Sequence, residues 1–61
     1  QLLRALETLP ENWREVVLLR YREELSYQEI SRIVGISVNH VGNTLHRALA
    51  SLRKELGGSH E

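Results

Sequence analysis

The stretch LSYQEISRIVGISVNHVGNTL, Leu25 to Leu45, decides how this chain folds. Ser26 followed three residues later by Glu29 is a capping box, and Leu25 with Ile30 stands at the spacing of a hydrophobic staple, so a helix starts here. Its inward stripe reads Ile30, Ile33 and Val34. Gly35 follows, a residue able to take the left-handed conformation that closes a helix without steric cost. Only Ile36 separates it from Ser37, a second N-cap, with Ile36 and Val41 again at staple spacing. Two helices joined by a tight turn around a glycine form a helix-turn-helix pattern.

Working outward, the helix that Ser37 opens runs to about Leu56, with Val41, Leu45, Ala48, Leu52 and Leu56 facing inward. Upstream, a first helix passes through Leu2, Leu3 and Leu6. It must end near Leu9, because the residue before Pro10 is pushed out of the helical region. Pro10 suits the first turn of a second helix, with Glu11 favourable at its positive end. That helix carries Trp13, Val16, Val17, Leu18, Leu19 and Tyr21, apolar around most of its girth, which predicts burial and a central place in the fold. No stretch alternates with a period of two. The chain therefore reads as all-α: one small four-helix domain over residues 1–56 with a C-terminal helix-turn-helix, unrelated to winged helices, and a flexible tail over 57–61.

The 61 residues carry eight Lys and Arg against eight acidic groups, 41% hydrophobic residues and no cysteine. Disulfide scaffolds, thiolate zinc sites and cysteine nucleophiles are excluded. The core must be aliphatic, since only Trp13, Tyr21 and Tyr27 are aromatic. The longest unbroken apolar run is Val16 to Leu19, far short of the roughly 20 residues that span a bilayer. The chain starts at Gln1 and has no methionine, which reads as a piece of a longer, soluble protein. His40 and His46 have no His, Asp or Glu at i+3 or i+4, and His60 lies in the tail, so no metal site is predicted. No phosphate loop or serine–base pattern suggests an enzyme or a cofactor. Glu23 and Glu24 beside Arg20 and Arg22 read as surface ion pairs.

A helix-turn-helix places the first turns of its second helix in the DNA major groove. With Val41, Leu45, Ala48 and Leu52 turned inward, Asn39, His40, Asn43 and Arg47 take the opposite face, and Thr44 its flank. Asn pairs with adenine and Arg with guanine, and Ser37 can offer its hydroxyl and backbone N–H to a phosphate. Ser26 and Tyr27 open the preceding helix where it would cross the DNA backbone. A wet outer face on a plain helical bundle would show the same polarity. Periodicity alone leaves both readings open.

The segments Leu9-Pro10, Arg14-Glu15-Val16, Leu19-Arg20-Tyr21, Leu25-Ser26-Tyr27-Gln28-Glu29-Ile30, Val34-Gly35-Ile36-Ser37-Val38 and Leu45-His46-Arg47-Ala48 resemble, in register and without a gap, region four of bacterial sigma factors of the extracytoplasmic-function group. The resemblance covers about residues 5–56. It implies a cytoplasmic transcription-initiation module that reads the promoter −35 element as double-stranded DNA and docks on the beta flap of core RNA polymerase, with an anti-sigma factor as a partner in many members. Such recognition helices usually read Val-Gly-Thr-Val-Lys-Ser-Arg-Leu-His-Arg-Ala. Here Gly42 and Thr44 stand where basic residues are usual, and Arg47 is the basic reader retained. Restoring Lys at 42 and Arg at 44 is expected to tighten DNA binding and raise thermal stability. Two other readings stay open on the sequence: a sigma-like protein-interaction domain that has given up most DNA binding, consistent with zero net charge, and a response-regulator helix-turn-helix.

Overall fold

A computed structural model describes residues 2–57, and the Leu2 side chain, His60 and the rest of the tail from Gly58 lie outside it. Four helices follow one another: α1 (Leu2–Glu7), α2 (Glu11–Tyr21), α3 (Tyr27–Val34) and α4 (Val38–Gly57), with no strand among the described residues. The all-α, four-helix architecture read from the sequence is the one found.

Each boundary has a local cause. The end of α1 tightens through Thr8 and Leu9 N–H groups donating to the Ala5 and Leu6 carbonyls at 3.1 Å, and Pro10 then stops it. Pro10 is the N-cap of α2 rather than part of its first turn: its φ of −54° and ψ of 150° are extended, and its carbonyl accepts from Arg14 N–H at 3.0 Å. At α3 both halves of the capping box are present. The Glu29 N–H donates to Ser26 Oγ at 3.1 Å, and the Ser26 N–H donates to Glu29 Oε1 at 2.8 Å. Gly35 closes α3 at φ 78°, with its N–H on the Ser31 carbonyl. Ser37 then caps α4 by accepting from the His40 N–H at 3.0 Å.

The core consists of Ala5, Leu6, Leu9, Val16, Val17, Ile30, Val41, Leu45, Ala48 and Leu52, with Trp13, Leu18, Leu19, Leu25, Val34, Ile36 and Leu49 packed around it. The central element is α4, not α2. It contacts α1, α2 and α3, whereas the sequence had pointed to α2. Twenty residues make α4 about 30 Å long, enough to lie against all three shorter helices. On α2 only Val16 and Val17 are buried, and Leu18 and Leu19 stay half-exposed.

Three further residues expected inside, Ile33, Tyr21 and Leu56, are outside. Ile33 is 57% exposed, because Ile30 and Val34 hold the stripe that α3 turns toward α4 and α1 packs on α4 instead of covering the remaining flank. Tyr21 ends α2 beyond its neighbours, Leu56 lies on the last turn of α4, and Leu3 faces solvent from α1. Helix α4 also continues through Gly57, one residue past the expected boundary.

Ile30 is fully buried at the junction of α3 with α4, so truncation there leaves a cavity that a small domain cannot collapse. Ile30→Ala should cost roughly 2–5 kcal/mol, visible as a large fall in melting temperature. Ile33→Ala, on the bare flank, should change it little.

Candidate nucleic-acid interface

The helix-turn-helix is α3, the Gly35–Ser37 turn and α4, and its turn is held by more than caps. The Ser31 hydroxyl donates to the Ile36 carbonyl, satisfying an acceptor in the tight turn that neither helix reaches. This bond was not foreseen, since a serine inside a helix gives no local signal of a partner five residues away.

The first turns of α4 present the predicted polar ridge. Asn39, His40, Asn43 and Arg47 are all exposed. Asn39, Asn43 and Arg47 follow one another at four-residue steps and so line one edge, while His40 and Lys54 lie seven residues to either side of Arg47 and continue it. Arg53 falls about 120° round the helix from Arg47 and does not join them. The basic surface on this face is thin.

Thr44 lies beside His40 on the flank of that ridge, but it is buried there. It is 6% exposed and lines a shallow groove with Asn12, Glu15, Val16, Ile33, Val34, Ile36 and His40, because α2 packs along the side of α4 that carries it. Gly42 is half-buried beside Tyr27: a Cβ added there would meet Tyr27 Cε2 at 3.5 Å, an ordinary van der Waals distance. The two positions where basic residues are usual are thus unlike each other. One admits a Cβ at ordinary contact distance, and the other is inside.

The two helix starts also differ. At α3 the Ser26 N–H is occupied by Glu29, whose carboxylate already answers the positive end of the helix. The Ser26 backbone N–H, then its hydroxyl, then the nearby Arg32 hold the Glu29 carboxyl below its ordinary pKa. At α4 no acidic residue stands in the first turn, and Ser37 is exposed. Of the two, the Ser37 end is the open one for an anion. Tyr27 is 37% exposed, with the Arg20 guanidinium 5.3 Å from its ring centroid. Arg20 therefore turns to Tyr27 and to the Leu25 carbonyl, 2.9 Å from its Nη1, rather than to Glu23 or Glu24 as expected. Among the described residues no group of three or more His, Asp or Glu could hold a metal ion, and no helix is long and apolar enough to cross a membrane.

Residues 1–52 match the family model described as Sigma-70, region 4. Over 55 residues the chain is 46% identical to the RNA polymerase sigma-E factor of Streptomyces antibioticus, covering 90% of this chain and 31% of that protein. It is 42% identical over 60 residues to the RNA polymerase sigma factor YlaC of Bacillus subtilis, covering 98% of this chain and 35% of that one. With the ECF RNA polymerase sigma factor SigW of Bacillus subtilis it shares 44% identity over 48 residues, covering 79% of this chain and 26% of that protein. The chain thus spans about a third of the length of these curated relatives. No solved structure gives a significant match.

Two outcomes follow from this geometry. A carboxyl with a depressed folded-state pKa contributes stability that is present above its unfolded value, 4.5, and lost as pH falls through the lower folded value. Thermal melts from pH 7 downward should show the protein losing stability below pH 4.5 more steeply than Glu29→Gln, which keeps a capping-box side chain but does not titrate. The substitutions at 42 and 44 should act in opposite senses, not together as the sequence suggested. Gly42→Lys should raise the melting temperature, gaining on the order of 1 kcal/mol of helix propensity. Thr44→Arg should lower it, because a long cation must leave or disrupt the packed side of α4.

Proposed function

Because the chain belongs to the Sigma-70, region 4 family, we propose that it is the promoter-reading module of an extracytoplasmic-function sigma factor in transcription initiation. In this reading α4 enters the major groove of the −35 element. Asn39, Asn43 and Arg47 address base edges, with His40 beside them, and Ser37 holds a phosphate at the helix start. Tyr27 and the Ser26 hydroxyl face the backbone that α3 crosses. Thr44 has no part in it. The folded unit is residues 1–56, extended by Gly57, and the work is done in the cytoplasm, where promoter DNA and polymerase meet.

No bond is made or broken by such a module; it is not an enzyme, and it needs no cofactor. Its contribution is differential affinity. Contacts to bases choose the site, contacts to phosphates set register, and docking on core RNA polymerase converts a weak local preference into placement of the whole initiation complex. The half-exposed Leu18 and Leu19, bordered by Arg14 and Glu15 on α2 and by Arg22 and Glu23 just after it, offer an apolar strip with a charged rim, the kind of surface that the polymerase beta flap or an anti-sigma factor would cover.

The observation that carries the proposal is the exposed ridge of Asn39, Asn43 and Arg47 on the second helix of a capped helix-turn-helix. Its test is selection from a random duplex library by the full-length protein bound to core polymerase. An enriched upstream motif supports it. A library that emerges unenriched while polymerase binding persists would mean that the domain serves protein contacts alone.

Given the thin basic surface, affinity for a −35 duplex should fall with salt at a slope of log K against log salt no steeper than about −4. Arg47→Ala should weaken the selected sequence by about 1–3 kcal/mol and relax preference at one base pair. Its melting temperature should barely move, since the side chain is exposed.

A further inference from the structure

Only Gly35, Ile36 and Ser37 connect α3 to α4, and one residue of α3 grips that connection twice. Ser31 accepts at its backbone carbonyl from the Gly35 N–H at 2.9 Å, and its hydroxyl donates to the Ile36 carbonyl. A carbonyl and the N–H that follows it share one rigid plane. The bond at the Ile36 oxygen therefore also sets the Ser37 N–H and the direction in which the chain leaves the turn. Ser37 passes that orientation on: its hydroxyl accepts from the His40 N–H at 3.0 Å, and its carbonyl from the Val41 N–H at 2.9 Å. Asn39 begins the polar ridge two residues after Ser37.

The Gly35 bond closes α3 and the Ser37 bonds open α4, each within its own helix. Among the described residues the Ser31 hydroxyl makes the side-chain hydrogen bond that runs from α3 to the far side of Gly35. Stability depends on it little. Ser31 and Ile36 are half-buried, so water can take the carbonyl in place of the hydroxyl, and alanine is the better helix former at position 31. Water, however, does not carry the angle between two helices. Tyr27 opens α3 eight residues before Gly35, roughly 12 Å along the helix axis. A swing of about 10° at the turn moves it by roughly 2 Å, several times the spread of distance that a hydrogen bond tolerates. Contact with phosphates at the start of α3 and with base edges along α4 requires that angle to be right.

We propose that Ser31 is a positioning residue for duplex reading: its hydroxyl fixes the Ile36–Ser37 peptide and with it the angle between α3 and α4, so that Tyr27 and the ridge of Asn39, Asn43 and Arg47 meet one duplex together. The hydroxyl proton is committed to the Ile36 carbonyl, and Ser31 itself touches no DNA. The inference rests on the promoter-reading function above. A serine that instead held a phosphate would contribute alike to every duplex, because phosphate contacts carry no sequence information. A positioning serine contributes where both helices make their contacts, on the duplex that carries the right bases.

The test uses the full-length protein with core polymerase, on a duplex carrying the selected upstream motif and on one with that motif scrambled. It compares Ser31→Ala, Ser31→Thr, Arg47→Ala and the Ser31→Ala/Arg47→Ala double variant. Alongside, the carbon-13 signal of the Ile36 carbonyl in isoleucine-labelled full-length protein reports the hydrogen bond. In Ser31→Ala that signal should move, the melting temperature should change by no more than a few degrees, and preference for the motif should fall about two- to fivefold. The scrambled duplex should be bound as before. The double variant should lose less preference than its two single losses combined, since a misplaced Arg47 has less to contribute. In Ser31→Thr, which keeps a hydroxyl, signal and preference should both stay or both move. An unmoved Ile36 signal in Ser31→Ala, an unchanged preference, an equal loss on both duplexes, a large fall in melting temperature or independent losses in the double variant would overturn the proposal. So would a Ser31→Thr variant in which signal and preference part. If the unsubstituted protein prefers no motif, the promoter reading falls and the duplex role of Ser31 with it; an Ile36 signal that still moves in Ser31→Ala would mark that failure as belonging to the reading and not to the hydrogen bond.

Discussion

Burial of one stripe on α4, Val41, Leu45, Ala48 and Leu52, is the constraint on which the rest of the molecule depends. Three short helices, of six, eleven and eight residues, could not hold one another through isolated helical stability, since helices shorter than about 12–15 residues are marginal in water. Each is fixed by the apolar face it lays on α4. The same packing leaves the opposite face of α4 uncovered over its first turns. A single long helix thus carries both the floor of the core and an exposed polar ridge, and the two are separated only by which way each side chain points.

Apolar packing does not by itself set angles in so small a domain, and the polar bonds at the turns supply that definition. The capping box at Ser26, the left-handed Gly35, the Ser31 bond to the Ile36 carbonyl and the Ser37 cap come within a dozen residues. Together they leave the helix-turn-helix little freedom to splay. Arg20 does the same from α2, and its use of a carbonyl and a ring rather than a neighbouring glutamate keeps a positive group at the loop without an acidic partner. A chain of zero net charge cannot rely on a strong long-range field to attract a polyanion, so any recognition through its surface must rest on the orientation of a few side chains.

Sequence was sufficient for whatever is governed by neighbours within about five positions. The capping box, both staples, the glycine closure, the break at Leu9-Pro10 and the four inward residues of α4 between Val41 and Leu52 follow from spacing, because helix periodicity and cap chemistry are local. Membership of the family was legible for the same reason, since its motifs are the caps and the stripe. The exposed ridge of Asn39, His40, Asn43 and Arg47 came with them, as the complement of the stripe.

What tertiary structure alone decided is which flank of each helix finds a partner. Ile33 and Thr44 make the point in opposite directions. Ile33 is apolar and exposed because no helix covers its side of α3, and Thr44 is polar and buried because α2 lies along its side of α4. Residue type favours one environment by a kcal/mol or two, whereas the placement of a neighbouring helix is fixed by the sum over the whole core. The centrality of α4 over α2, the reach of Arg20 to Leu25 and Tyr27, and the nearness of that ring to Gly42 belong to the same class. Each depends on the distance between segments that the chain brings together only when it folds, and no period within a helix encodes it.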